Sequence, residues 1–324
     1  MNKHTPIAAG CILALLALFP FAAPALGLDY YIAFMTRLLA TALIACSVNL
    51  LLGYGGMVAL GHAGFVGVGA YAMVSFMQLG IESVWLLWPL AALCAALAGL
   101  VIGAICVRTR GVYFIMITLA FAQMLYYVVV SLRSLGGDDG FNLSQRPALG
   151  LGLDSGSDQS LYLLVLLVCA GAFYLLQRLT RSAFCKALAG QRDNESRMAA
   201  LGYPTYALRL QAFVLTALIA GLGGAMLLTQ NEFVSPSSMH WTQSAILVVM
   251  VVIGGLGHPY GAIVGAAVWL VLEEVLRQYT EYWHWPLGLL LIAIILLAPS
   301  GLCRLAAARR RKASAAPGLV GKNT

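Results

Sequence analysis

The sequence predicts an all-α protein, a polytopic bundle of about ten transmembrane helices with both termini cytoplasmic. Three observations predict it. The 324 residues are 61% hydrophobic and 10% charged, with a mean hydropathy of +0.88, whereas soluble domains carry about 25% charged residues. A soluble chain of this composition lacks the polar side chains to cover its surface, so lipid must be its solvent. Apolar runs of about 20 residues, the length that crosses a bilayer, follow one another along the chain. The basic residues, which give a net charge of +7, gather in alternate loops. They lie at the ends of apolar runs, not on one aromatic-flanked face, which argues against a nucleic-acid surface.

Taken in order, the predicted spans are 7–27, 31–53, 57–79, 84–107, 112–131, 160–179, 207–229, 243–257, 260–279 and 286–303. In the first, Lys3, an apolar run and the small residues Ala22-Ala23-Pro24-Ala25 imitate a cleavable signal peptide. The run continues to Leu28, longer than the roughly 7–15 residues of a signal h-region, and is read as a retained helix. The second span holds Arg37, the third is dense in glycine, the eighth is short and the ninth carries Glu273 and Glu274. One membrane domain thus covers 1–303, and 304–324 form a basic, disordered cytoplasmic tail.

With the N-terminus inside, the inner loops receive 15 of the 19 basic residues. Arg108, Arg110, Arg178, Arg181, Lys186 and Arg192 are among them. The outer stretch 132–159, rich in Gly, Ser and Asp, is expected to pack as a cap. The inner stretch 180–206 differs in kind. Residues 193–201 contain helix formers behind a capping start at Asp193/Asn194, and Gly202 with Pro204 is a stop signal. A short helix between two spans on the cytoplasmic face is expected there. It suits a transporter that receives force from a separate motor, although a plain connecting loop is the alternative.

Several chemistries are excluded by what the chain lacks. There is no G-x-x-x-x-G-K-[ST] phosphate loop, no G-x-S-x-G elbow and no H-E-x-x-H pair. No catalytic residue and no metal site are expected. The seven cysteines form no C-x-x-C pair, and all but Cys185 fall in or beside apolar runs, as small hydrophobes do. Mid-span charge is scarce, and the Glu273/Glu274 pair is expected to face water or a partner subunit.

Glycine supplies the remaining signal. Gly53-Tyr-Gly-Gly is followed by Gly61, His62, Gly64, Gly67 and Gly69. Little side-chain bulk then remains on the third span, which suits a broken or tightly crossed helix at a translocation pathway, or plain small-residue packing. His62 is expected to be satisfied by a neighbouring carbonyl. A second run, Gly254-Gly255-Leu-Gly257-His258, repeats the Leu-Gly-His pattern and hints at a parallel internal repeat.

Together these motifs resemble the LivM-type permeases of branched-chain amino-acid ABC importers. The resemblance rests on Gly53-Tyr54-Gly55-Gly56, Leu60-Gly61-His62-Ala63, Arg110-Gly111-x-Tyr113-Phe114 and Thr118-Leu119-Ala120-Phe121. It continues through Arg192-x-Asn194-Glu195 to Ala200-Leu201-Gly202 and ends at Gly254-Gly255-x-Gly257. It covers residues 30–303 in order. It departs from the usual pattern at Leu135-Gly136-Gly137 and at Met198-Ala199-Ala200, which stands where the core of the coupling loop falls.

The resemblance implies a permease subunit paired with a homologous LivH-type permease, two cytoplasmic ATPases and a periplasmic substrate-binding protein. Such a chain sits in the bacterial inner membrane and binds no cofactor of its own, ATP being used by its partners. Arg192, Asp193, Asn194, Glu195, Ala200 and Gly202 are then the expected coupling residues, and Gly61, His62, Gly64 and Gly67 the expected pathway residues. Relatives that carry urea, short amides or other amino acids keep the cargo open. A stand-alone carrier or channel is the competing class.

Overall fold

The structure, a computed structural model, describes residues 15–21, 27, 29–150, 156–279, 281–297 and 301–303. The spine of the fold is α1 (Asp29–Asn49), which runs on into a π-helical turn, Leu50–Tyr54. Around it stand α2 (His62–Gln78), α3 (Val84–Cys106), α4 (Val112–Ser131) and α5 (Asp158–Thr180). Two short helices follow, α6 (Ala183–Asp193) and α7 (Glu195–Ala200). The long α8 (Thr205–Asn231) returns through the bundle, and α9 (Trp241–Gly254), α10 (Gly261–Tyr279) and α11 (His284–Leu297) complete it. The all-α membrane bundle expected from hydropathy is the one observed. Of the first expected span, residues 15–21 are helical and touch α5, where the Tyr162 hydroxyl donates to the Leu16 carbonyl (2.9 Å). The rest of that span, with its cleavage signal, and the tail 304–324 lie outside the described residues.

Spans two to ten each have a helix, but not each is long enough to cross a bilayer alone. Five helical stretches of the described chain are, namely Tyr30–Tyr54, α3, α4, α5 and α8. α2 has 17 residues because residues 55–61 before it, with Gly55, Gly56 and Gly61, are not helical. α9 and α11 have 14 each, and α10 carries Glu273, Glu274 and Arg277.

Burial sorts the helices. In α1 with its π turn, and in α8, 72% of the most apolar window is buried, against 22% in α4. α8 packs on α3, α2 and α1, and glycine lets it come close. A Cβ on Gly69 of α2 would collide with the Gly221 carbonyl, and one on Gly224 of α8 with the Val66 carbonyl. Backbone meets backbone at both places, so no side-chain adjustment could make room.

At the end opposite α6 and α7, two loops make the expected cap. β1 (Phe141–Asn142) pairs antiparallel with β2 (Phe233–Val234). Beside them the Arg146 guanidinium donates to Glu232 and, at 2.6 Å, to Asp158. Burial works against its charge, but these two carboxylates outweigh that and raise its pKa above the ordinary arginine value.

The acidic pair of α10 corrects its expectation at Glu273 alone, since Glu274 stays partly open to water. Glu273 is buried and accepts from Trp269 Nε1 (3.1 Å), Arg37 Nη2 (3.4 Å) and Arg277 Nη2 (2.8 Å). Glu274 accepts from the Tyr30 hydroxyl (2.6 Å). The pair fastens α10 to α1, and the arginine of the second span is its counter-charge.

Candidate functional site

The motifs singled out in the sequence come together at one end of the bundle, the end that carries α6 and α7. The sequence there reads as one helix over 193–201, and the structure corrects it to two. Asp193 closes α6, Asn194 is extended (φ −157°), and α7 begins at Glu195. Two side-chain caps fix the starts. Ser182 Oγ accepts from the Cys185 N–H ahead of α6 (3.5 Å), and Asn194 Oδ1 accepts from the Arg197 N–H of α7 (2.9 Å). At the far end, Gly202 N–H donates to Ala199 O (2.9 Å) and Tyr203 N–H to Met198 O (3.1 Å), the paired bonds of a Schellman stop. Gly202 takes φ +85° for this, a left-handed value that L side chains resist.

The two helices play different parts. α6 buries Cys185, Ala187, Leu188 and Gln191, whereas α7 buries nothing. Cys185, expected to lie outside the apolar parts, is thus inside, and burial pushes its thiol up to about 11. After α7 an apolar patch stands free, with Leu201 67% and Tyr203 47% exposed.

Besides the Gln191 amide, which donates to the Thr205 carbonyl at the foot of α8 (3.0 Å), two charged side chains tie this knob to the bundle. Arg192 turns inward: its Nη1 donates to the Gly53 carbonyl, and its aliphatic stem lies across Gly56, where a Cβ would meet it. Arg192 also pairs with Asp193 at 3.1 Å. Glu195 binds Arg209 of α8 and, at 3.0 Å, Arg110 from the turn between α3 and α4. Ala200 sits in the last turn of α7.

Gly53 in turn faces the second glycine run. A Cβ there would strike the Gly257 backbone. Asn49 clasps the joint, accepting from the Gly257 N–H and donating to the His258 carbonyl, both at 3.0 Å. The Gly53 end of the first glycine run therefore packs against the second Leu-Gly-His joint, whereas the first Leu-Gly-His faces Thr118. Asn49 and Arg209 were not among the expected site residues; an amide at the end of an apolar run was the signal that could have marked Asn49.

The expected pathway residues lie deeper and are packed within the chain. Gly61 and Gly64 face Thr118 and Leu125 of α4, and Gly67 faces Met239. Thr118 Oγ1 accepts from the Leu60 N–H (3.2 Å), holding the non-helical entry to α2. His62, at the first turn of α2, is 1% exposed, and neither ring nitrogen has a hydrogen-bond partner among the described residues. The expected carbonyl partner is absent because Phe65 and Phe213 flank the ring edge-on, with centroids 6.2 and 6.5 Å away. Among the described residues no three His, Cys, Asp or Glu side chains gather to hold a metal ion.

Comparison with known proteins identifies the family. A family model described as branched-chain amino acid transport system / permease component matches residues 30–299. The chain is 29% identical over 284 residues to the high-affinity branched-chain amino acid transport system permease protein LivM of Escherichia coli (strain K12). That match covers 80% of this chain and 67% of the relative. The protein of the same description from Salmonella typhimurium (strain LT2) is 29% identical over 283 residues, with the same shares covered. No solved structure matches the chain. The chain is a multi-pass membrane protein and belongs to the permease components of the branched-chain amino acid transport system family.

Proposed function

We propose that this chain is one permease of an ATP-driven importer for branched-chain amino acids in the bacterial inner membrane. The observation that supports it best is the α6–α7 knob. Its tip is free of the chain, while its base is tied to three separate parts of the bundle through Arg192 and Glu195. In this reading the knob faces the cytoplasm, as the loop charges favour, and sits in a groove of an ATPase subunit. A second, LivH-type permease completes the pore, a periplasmic binding protein delivers cargo to the opposite face, and ATP is consumed by the partners alone.

The geometry suggests how force would travel. A push on α7 moves Glu195, and with it the α3–α4 turn and the foot of α8. The same push, passed through Arg192, reaches Gly53 and so the joint where α1 ends and α10 begins. Those points include the ends of the two most buried helices, α1 and α8, so a small tilt at the knob would be carried into the core.

The test is reconstitution of the chain with its sister permease, ATPases and binding protein in proteoliposomes. Uptake of radiolabelled leucine, isoleucine and valine should require internal ATP and the binding protein. Leucine uptake by liposomes holding this chain alone, without ATPases, would overturn the reading in favour of a stand-alone carrier. ATP-driven uptake of urea or short amides with no competition from leucine would move the cargo within the family.

A further inference from the structure

A slot of 470 Å³ opens on the flank of the bundle, lined at one end by Leu16 of the N-terminal helical turn and at the other by Asn49 and Tyr54 of the joint just described. Its floor is α1, at Leu39 and Cys46, and its walls are α5, at Leu166, Ala170 and Phe173, and α10, at Ile263. α5 and α10 both pack on α1 but leave a gap between them. Most of the polar groups gather toward one end, Asn49, Tyr54, Gln177, Thr180 and Tyr260, with Tyr174 one turn before Gln177. The Gln177 amide donates to the Tyr260 hydroxyl across the mouth (2.7 Å). That end is where α5 stops and α6 starts.

The dimensions and polarity of the slot select an occupant. From Leu166 to Thr180 along α5 is about 21 Å at the helical rise, roughly one leaflet of a bilayer with its headgroup layer. No lining residue carries a formal charge, so the zwitterion of an amino acid would be desolvated there without compensation. Charge stands outside the rim instead. Arg181, four residues beyond Gln177 and so on the same face of α5, is exposed, and neither it nor Arg178 has an ion-pair partner among the described residues. An apolar trough one leaflet deep, with free guanidinium groups at its polar end, is complementary to an amphiphile that has one long chain to bury and one anionic head.

We propose that the slot holds an acyl chain of an anionic glycerophospholipid, its phosphate at Arg181 and Arg178 and its chain directed toward the bilayer centre. The proposal rests on the chain spanning a bilayer and not on which solute it carries. It gives the lipid a role, because Asn49, Leu50 and Tyr54 line the slot and also form the joint that Arg192 grips. The bound chain braces that joint from its flank.

Photo-crosslinking tests this in the full chain reconstituted in nanodiscs of phosphatidylethanolamine doped with a phosphatidylglycerol that carries a diazirine on one acyl chain. Adducts should concentrate on slot residues of α1 and α5. Adducts spread evenly over the outward faces of α3 and α4, at Leu97, Leu100 and Met116, would refute the site without any variant. Ala170→Trp should cut the slot adducts roughly ten-fold or more, since each excluded methylene costs about four-fold in affinity. Leu167→Trp, on the exposed side of α5, should leave them unchanged. Should Ala170→Trp not fold, as judged by gel filtration, Ile263→Trp fills the slot from the other wall. Arg181→Glu should lower phosphatidylglycerol labelling roughly five-fold. Equal labelling by a phosphatidylcholine probe in the unmodified chain would overturn the anionic headgroup, and loss of labelling on assembly with a second permease would show that protein, not lipid, fills the slot.

Discussion

Glu195 lends itself to a quantitative test, because its two arginine partners differ in burial. The side chains of Glu195 and Arg209 are 17% and 15% exposed, and that of Arg110 is 70% exposed. Removing one member of a fully buried ion pair costs about 3–5 kcal/mol, chiefly through the charge left without a partner. Residual exposure at the end of the bundle lowers this, so Glu195→Ala should cost about 2–3 kcal/mol. The Arg110 leg behaves as a surface pair worth at most about 1 kcal/mol. A double-mutant cycle separates them: Glu195→Ala with Arg209→Ala should show a coupling of about 2 kcal/mol, and with Arg110→Ala less than about 1 kcal/mol. The assay is equilibrium unfolding of the purified chain in mixed micelles of a mild detergent and dodecyl sulfate. Additive behaviour of the Glu195/Arg209 pair, or a larger coupling to Arg110, would refute burial as the source of the difference. ATP-driven uptake in the assembled transporter should fall with Glu195→Ala by more than the loss of folded protein explains.

Gly69→Leu should prevent stable packing against Gly221, at a cost above the roughly 1–3 kcal/mol of ordinary overpacking; Gly171→Leu, with open space around it, should be tolerated, and thermal melts of the two compare them directly. Glu273→Gln should lower stability by about 1–3 kcal/mol because Arg37 and Arg277 lose their shared carboxylate, whereas Glu274→Gln, which keeps an acceptor for Tyr30, should cost less in the same unfolding assay. Maleimide should fail to label Cys185 in the folded chain at neutral pH: the thiolate forms only as pH approaches the raised value of about 11, and mass spectrometry should find the adduct only after denaturation. Gly202 has no atom near its missing Cβ, so Gly202→Ala should cost only about 1–2 kcal/mol of local backbone strain. Gly202→Trp should add no further clash within the chain but should block ATPase binding in a pull-down.

The bundle was legible from hydropathy because α3, α4, α5 and α8 are long and apolar, with capping or breaking residues at their ends. The third span was read too long by several residues: its apolar pattern runs through Met57–Gly61, where Thr118 of another helix holds the backbone out of a helix. The split between α6 and α7 was hidden for a similar reason. Asp193 and Asn194 are equally good caps in isolation, and the choice falls to Arg192, anchored on Gly53 far away in sequence. Adjacent glutamates read as a wetted edge until Arg37, 236 residues distant, is seen to neutralise one of them. The helical inner loop was legible because its caps and stop are local; the clasp on the glycine joint was not, because it is made by residues that only the tertiary fold brings together.

That clasp bears on how the protein is made. Asn49 leaves the ribosome near the beginning of synthesis, yet its partner Gly257 lies 208 residues later. At translation rates of about 5–20 residues per second, the amide waits on the order of 10–40 s for its bonds. During that interval one of the two most deeply packed helices carries an unpaired polar group at the edge of the hydrocarbon. The nascent chain therefore needs a temporary hydrogen-bond partner at that level, whether water held in the insertion machinery or a membrane chaperone. Biogenesis should be the stage at which changes around Gly53 and Gly257 are felt first.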